Sequence, residues 1–424
     1  MRSADQPAAP PLRPAHLLTL SRFSHVPRRV RWLIYLLSFL TVSQGFYYVI
    51  VTAYLPEIGV SGGDVGLILG TSAASVVLSA IPLGMLSDRR GRKRVFLLGT
   101  LGLPPALLVY AFTTDVLYLV LAAIVVGVAQ GAFLTTWNAM IADQTTQENR
   151  DHAFSLSFVV NIVANGAGAS IFILFPVLSD WTGASIATLH HDALIFFAGF
   201  ACLSPLSLAF LLRDFEEVSY PRSRIFGRGR KMGLLVRFSL LNGLIGLGAG
   251  FIIPLIATWL WLRFSVPDTL SGPLLAVSNM TVGFAALWSA GLAKRLGPVK
   301  AIALTEGLST IFMVSLAFVP NAALAGGLYI VRAALMMMSS PISDSYLMSI
   351  IAPEDRGVAS AINSIVWRLP NSATTVVGGA LLQGGHFELP FLLAASFYLT
   401  SIGGFYATFR NVRPSKEDAV PARA

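Results

Sequence analysis

Twelve long apolar runs, separated by short polar or basic loops, constrain this chain more than any other feature. They fall at about 31–54, 63–86, 95–113, 116–140, 152–177, 192–212, 233–262, 270–293, 299–319, 322–347, 357–382 and 389–409. Most exceed the ~20 residues that a helix rising 1.5 Å per residue needs to cross a hydrocarbon core about 30 Å thick. In lipid each segment must satisfy its own backbone hydrogen bonds, so the runs are read as helices. Prolines within them (Pro82, Pro104-Pro105, Pro176, Pro254, Pro341 and Pro370) are read as kinks rather than breaks. The expected fold class is an all-α polytopic membrane protein.

Composition narrows the alternatives. Only 12% of residues are charged, about half the level of a soluble domain, so the surplus apolar surface must face lipid. The net charge of +9 comes from short Lys/Arg clusters between apolar runs, not from one basic face, which argues against a nucleic-acid partner. The single cysteine, Cys202, excludes an intrachain disulfide. The six histidines show no ligand spacing, so no metal and no cofactor is expected, and His190-His191 is read as a surface loop pair. The first run is longer than a signal-peptide core and is interrupted by Gln44, Tyr47 and Tyr48, so it is read as a retained helix.

Basic residues alternate by loop. They crowd the N-terminus, the loops after the second and sixth runs and, more thinly, those after the fourth, eighth and tenth; Arg263 is the clear exception. By the positive-inside rule both termini are cytoplasmic. The division expected is a tail at 1–30, a six-helix bundle at 31–212, a central loop at 213–232, a second bundle at 233–410 and a tail at 411–424. The two halves match at one offset of 206 residues: Leu86, Arg89, Gly91 and Arg94 with Leu292, Arg295, Gly297 and Lys300; Glu148 and Arg150 with Glu354 and Arg356; Asn165 with Asn371. Several polar matches at one offset argue for two pseudo-symmetric six-helix repeats.

Gly84-Met85-Leu86-Ser87-Asp88-Arg89-Arg90-Gly91-Arg92-Lys93-Arg94 resembles the loop between helices 2 and 3 of the major facilitator superfamily. A degenerate copy at 290–300, the Pro353-Glu354-Asp355-Arg356-Gly357 loop and the glycine-rich seventh run from Gly246 to Pro254 also resemble that family. The resemblance spans essentially the whole chain. It departs at Lys294 and Ala290, which replace the equivalents of Asp88 and Gly84, and at Gly127, where the family usually has an arginine. Helix 5 lacks the glycine-proline motif typical of drug antiporters.

Gly84 and Gly91 allow close helix approach and a tight turn, and Asp88 can accept N–H groups at a neighbouring helix N-terminus. The resemblance implies that this neighbour is helix 11, near Gly357, and that Arg92 pairs with an acid at the inner end of helix 4, for which Asp143 fits. A gating loop of Gly84, Asp88, Arg89, Gly91, Arg92 and Asp143 is therefore expected; the plainer alternative is that its basic residues only enforce topology. The resemblance also implies that helices 1, 4, 7 and 10 line a central cavity, bringing Gln44, Tyr47, Asn138, Asn242 and Arg332 within reach. Asn165 and Asn371 are further polar candidates.

Ionisable residues within spans are functional candidates by default. Arg368 lies ~16 Å into helix 11 at 1.5 Å per residue, and Arg332 is about as deep from the other face. The pair admits three readings: binding an anionic group bidentately, a switchable network with Glu306 or Asp344, or bonding to carbonyls freed at proline kinks. Asp344 is the first candidate for a proton-coupling carboxylate and Glu306 the second.

No catalytic constellation or phosphate loop is present, so the chain is not expected to be an enzyme. The expected function is alternating-access transport of a small solute by a monomer in a prokaryotic cytoplasmic membrane, with efflux and proton coupling preferred. Organic-anion uptake or exchange through Arg332 and Arg368 is the alternative, and a non-transporting membrane sensor the remote one.

Overall fold

The computed structural model describes residues 26–146, 149–213, 232–350 and 356–412, and among these it forms helices and no strand. Twelve spans succeed one another: α1 Arg28–Glu57, α2 Gly62–Arg90, α3 Arg92–Phe112, α4 Val116–Asp143, α5 150–182, α6 Ile186–Leu211, α7 232–264, α8 Asp268–Leu296, α9 Pro298–Ala317, α10 Ala322–Ile350, α11 Arg356–Gln383 and α12 Leu389–Phe409. An even number of crossings returns the chain to the face where it began, here the terminal face; its opposite is the far face. Ten spans are long and apolar enough to cross a membrane by length and composition alone. The other two, α8 and α11, are of similar length, 29 and 28 residues. They are the C-terminal helices that pack on the N-terminal half, α8 on α5 and α11 on α2, so less of their surface needs to suit lipid.

Leu78, Phe112, Phe210 and Trp288 are each at least 70% exposed. Such side chains on the outside of a helical bundle are stable where the surroundings are hydrocarbon.

Two expectations need correction. The sixth helix starts at Ile186, because Ser185 caps it by accepting the Thr188 N–H at 3.1 Å; His190 is therefore helical and buried, not part of a surface loop. Prolines also divide into two kinds. Helices run unbroken through Pro82, Pro341 and Pro370. At Pro104-Pro105 and Pro176 the α-helix is interrupted and restarts with proline in its new first turn, where a missing N–H costs nothing; at Pro254 it passes through a short 3-10 turn and restarts at Ile256.

The interruption in α7 shows how the backbone is repaired. The Phe251 N–H turns to the Gly248 carbonyl at 3.3 Å, leaving the Leu247 carbonyl without its α-helical donor. The Thr374 hydroxyl of α11 donates to that carbonyl at 2.8 Å, and Asn371 Nδ2 donates to the Gly246 carbonyl at 3.0 Å.

The 206-residue repeat is visible in the backbone. Gly91 and Gly297, each joining two helices, have φ of 97° and 79°, a region that disfavours any side chain. Asn165 and Asn371 hold matching positions, their carbonyls against Gly45 of α1 and Gly250 of α7. Each half repeats the same neighbours, with α1–α5 and α7–α11 pairs, α2–α4 and α8–α10 pairs, and α3–α6 and α9–α12 pairs.

The halves meet tightly toward the far face. Gly62, Gly66 and Gly70 of α2 lie against the backbone of Ser372, Thr375 and Gly379 of α11, and a Cβ on Gly66 would stand 2.8 Å from Gly379 Cα and from the Thr375 carbonyl oxygen. Small residues permit this approach, as at other helix contacts in membranes. Since the obstacle is backbone, it cannot rotate aside. Gly66→Leu is expected to disfavour closure by the ~1–3 kcal/mol typical of overpacking. In a Cys202→Ser background, a cysteine at Ser372 (3% exposed) should then react with maleimide roughly tenfold faster; an unchanged rate would show that this contact is not the seal.

Candidate functional site

The polar side chains of the spans fall into separate groups in the two halves. In the N-terminal half a recess of ≈ 40 Å³ is lined by Gln44, Gln130 and Asn161 among apolar residues such as Leu37 and Phe133. At about 10–15 Å³ per water on such a measure, it admits a few waters or one substituent of a larger solute. Tyr48 is 39% exposed beside it, its hydroxyl approached by Gln130 Nε2 at 3.3 Å and by Gln44 Nε2 at 3.5 Å.

Tyr47, expected at the cavity, is 2% exposed and donates to the Tyr110 hydroxyl at 3.4 Å, which donates to the Leu119 carbonyl at 3.3 Å. Successive helical residues point about 100° apart, so burying Tyr47 against α3 turns Tyr48 outward. Asn138 is exposed and Asn165 half-buried.

On the other side, Arg368 is exposed. It lies one turn before Ser372, on the α11 stripe that continues through Thr375 and Gly379 against α2, and so faces the space between the halves. Among the described residues it has no ion-pair partner. Asn242 donates to Asn363 Oδ1 at 3.0 Å, bridging α7 and α11, and Asn371 is buried on the Gly246 carbonyl.

Arg332 occupies a different environment from the one expected. It is 4% exposed and donates through Nη2 to the Tyr398 hydroxyl of α12 at 3.0 Å. Glu306 of α9 is buried in the same bundle, and Ser309 of that helix donates to the Arg332 carbonyl at 3.0 Å. These groups form a polar cluster inside the C-terminal bundle, not a cavity wall. Asp344 is exposed.

At the terminal face, Arg92 Nη1 donates to Asp143 Oδ2 at 2.5 Å, tying the start of α3 to the end of α4 within one half. Gly84 faces only Thr135 of α4, and Arg89 is exposed in the last turn of α2. The side chain of Asp88 and the backbone of Pro353-Glu354-Asp355 lie outside the described residues.

The far face holds contacts that the sequence reading missed. The Thr52 carbonyl would pair in an α-helix with the N–H that Pro56 lacks; the Thr258 hydroxyl of the other half donates to it at 2.6 Å. These two threonines stand 206 residues apart, so the repeat offset combined with Pro56 was an available signal. Nearby, His190 bonds Asp268 across the interface, and Glu57 Oε2 accepts the Asp268 N–H at 3.3 Å.

The chain matches the family model of the Major Facilitator Superfamily over residues 31–375. The chain belongs to the major facilitator superfamily. Among its curated relatives, the multidrug resistance protein MdtG of Proteus mirabilis is 23% identical over 84% of this chain and 90% of its own. The multi-drug resistance efflux pump PmrA of Streptococcus pneumoniae is 26% identical over 58% of this chain and 60% of its own. Two solved structures share the fold: the nucleoside transporter NupG in its D323A mutant form (TM-score 0.71, 14% identity, 90% of this chain and 100% of that one) and a bacterial homolog of the human lysosomal transporter Spinster, inward-facing and unoccupied (TM-score 0.70, 14% identity, 92% and 98%). This superfamily member is thus a transporter built from two six-helix bundles.

The Arg92–Asp143 pair gives a direct test of local coupling. Its side chains are 21% and 10% exposed, partly shielded from solvent screening. Arg92→Ala, Asp143→Ala and the double variant should show a coupling of roughly 1 kcal/mol in a double-mutant cycle on unfolding. Additive effects would mean that the contact holds nothing.

Proposed function

We propose that this transporter exports a small solute by alternating access, taking it up at the terminal face while the far face is sealed, with protons as the coupling ion. One observation carries the reading: the halves are in backbone contact at Gly66 and Gly379, while Tyr48 of one half and Arg368 of the other remain exposed. The basic loops support placing the terminal face, the tails 1–30 and 411–424 and the loop 213–232 in the cytoplasm. Arg263, the exception, pairs with Glu388 at 3.1 Å and donates to the Ala317 carbonyl at 3.0 Å, so its charge is locally matched. The two relatives named for multidrug resistance favour export; the missing helix 5 motif argues for a solute class other than theirs. A bacterial cytoplasmic membrane is the setting proposed, with the chain acting as a monomer.

For coupling, Asp344 is exposed toward the terminal-face end of α10, whereas Glu306 is enclosed in the C-terminal bundle. Asp344 is the carboxylate we assign to proton exchange. The Arg368 guanidinium favours a second reading, exchange of an organic anion, because an unpaired planar cation in a span suits a carboxylate or phosphate.

Purified protein in sealed vesicles decides among these. With an imposed pH gradient, protons should move down it while solute moves in the opposite direction, and Asp344→Asn should abolish the proton movement while leaving solute binding. Flux without proton movement removes the coupling. Arg368→Gln should lower uptake of anionic solutes at least tenfold and spare neutral ones; retained anion flux rejects the second reading.

A further inference from the structure

His190 lies fully buried near the start of α6, stacked on Tyr54 with ring centroids 3.8 Å apart and edge-on to Phe175 at 4.7 Å. Its Nδ1 is 2.8 Å from the Ile186 carbonyl. A carbonyl only accepts, so Nδ1 carries a hydrogen, and a neutral imidazole of that tautomer presents a lone pair at Nε2. Nε2 is hydrogen-bonded to Oδ2 of Asp268, a carboxyl 1% exposed on the other half. Two lone pairs repel, so one proton lies between these atoms, whether as imidazolium with carboxylate or as imidazole with carboxylic acid. The other oxygen, Asp268 Oδ1, is buried without a hydrogen-bond partner among the described residues.

The surroundings offer no substitute for that proton. From α1 the pair is faced by Tyr54 and by the carboxylate of Glu57. From α5 it meets Phe172 and Phe175, and the acid of that helix end, Asp180, is exposed. On α6 itself His191 and Asp192 pair with each other at 3.3 Å and are exposed. Arg263, the basic residue at the end of α7, is held by Glu388. Without its proton the site would bury the Asp268 carboxylate against an imidazole lone pair and beside Glu57, a costly arrangement for an uncompensated charge.

We infer that His190 and Asp268 form a proton-binding latch on the far face: the closed halves hold one proton between the two side chains, and opening separates them and returns it to the medium on that side. The inference rests on the alternating-access reading above but concerns a different proton from the one assigned to Asp344. The latch proton enters and leaves by the same face, so it sets the balance between states and drives no transport. Closed protein binds one proton more than open protein. Closure is therefore favoured at low pH and lost as pH rises, by at most tenfold in the closed-to-open ratio per pH unit.

Spin labels at Asp180→Cys and His386→Cys, both exposed positions on the far face, in a Cys202→Ser background would report the distance between the halves. In wild type the long-distance population should grow as pH is raised upward from the pKa of a free imidazole, about 6.5. Asp268→Asn replaces the shared proton by an amide N–H donated to Nε2, and should hold the face closed at every pH. His190→Phe keeps a ring on Tyr54 but removes Nε2, and should leave the face open and insensitive to pH. A wild-type distance distribution unchanged over that range, or the wild-type pH slope persisting in either variant, overturns the latch. Solute flux in vesicles separates the two readings: pH-dependent opening without flux supports the latch and sinks the transport reading, while flux without pH-dependent opening sinks the latch alone.

Discussion

Hydrocarbon supplies no hydrogen-bond partner, so every backbone carbonyl released by a break in a membrane helix must be met by another group of the protein. That requirement explains where the polar contacts of this transporter are found. Pro56 deprives the Thr52 carbonyl of its donor, and Thr258 of the other half supplies one. The turn at Phe251 releases the Leu247 carbonyl, and Thr374 of α11 takes it up. These two sites thus become docking points for a neighbouring helix. The breaks in α1 and α7 lie toward the far face, where the halves meet.

The same region explains how such an interface can be both tight and reversible. Glycine backbone against glycine backbone is short-ranged contact: it is complete when the helices touch and vanishes within a small separation. Hydrogen bonds between membrane helices contribute only about 0.6–2 kcal/mol each. A seal made of a glycine stripe, one threonine–carbonyl bond and one buried His–Asp pair therefore separates two states by a modest free energy. On that scale a single proton, at about 1.36 kcal/mol per pH unit, is enough to shift the balance.

The number of spans, the two repeats and their offset were readable in the sequence because they are signals averaged over twenty or more residues or repeated at a fixed distance. Gly91 and Gly297 sharpened this, since a positive φ at a joint demands glycine in both copies. Side-chain direction was not readable in the same way. Tyr47 and Tyr48 differ by one helical step, and only packing on Tyr110 decides which of them meets the cavity. Arg332 was placed at the right depth but on the wrong surface, because depth follows from counting residues and rotation about the helix axis does not. Whether a proline kinks or breaks a helix depended on the neighbours available to take the freed groups. His190 was hidden for another reason: its partner Asp268 stands 78 residues away in the other half, and no local pattern links them.

The two faces differ in how they can be controlled. The terminal face carries the Gly84–Arg94 loop, whose Arg92–Asp143 pair lies within one half and is only partly shielded from salt; its copy at 290–300 lacks the Asp88 and Gly84 equivalents, so the repeat there is asymmetric. The far face is instead closed by groups that are almost fully buried, where screening has little effect and the protonation state decides whether a contact attracts or repels. An interface of the first kind responds to ionic strength and one of the second to pH. In the alternating-access cycle proposed above, closure of one face accompanies opening of the other, so a proton bound at the proposed His190–Asp268 latch would also raise access from the terminal face.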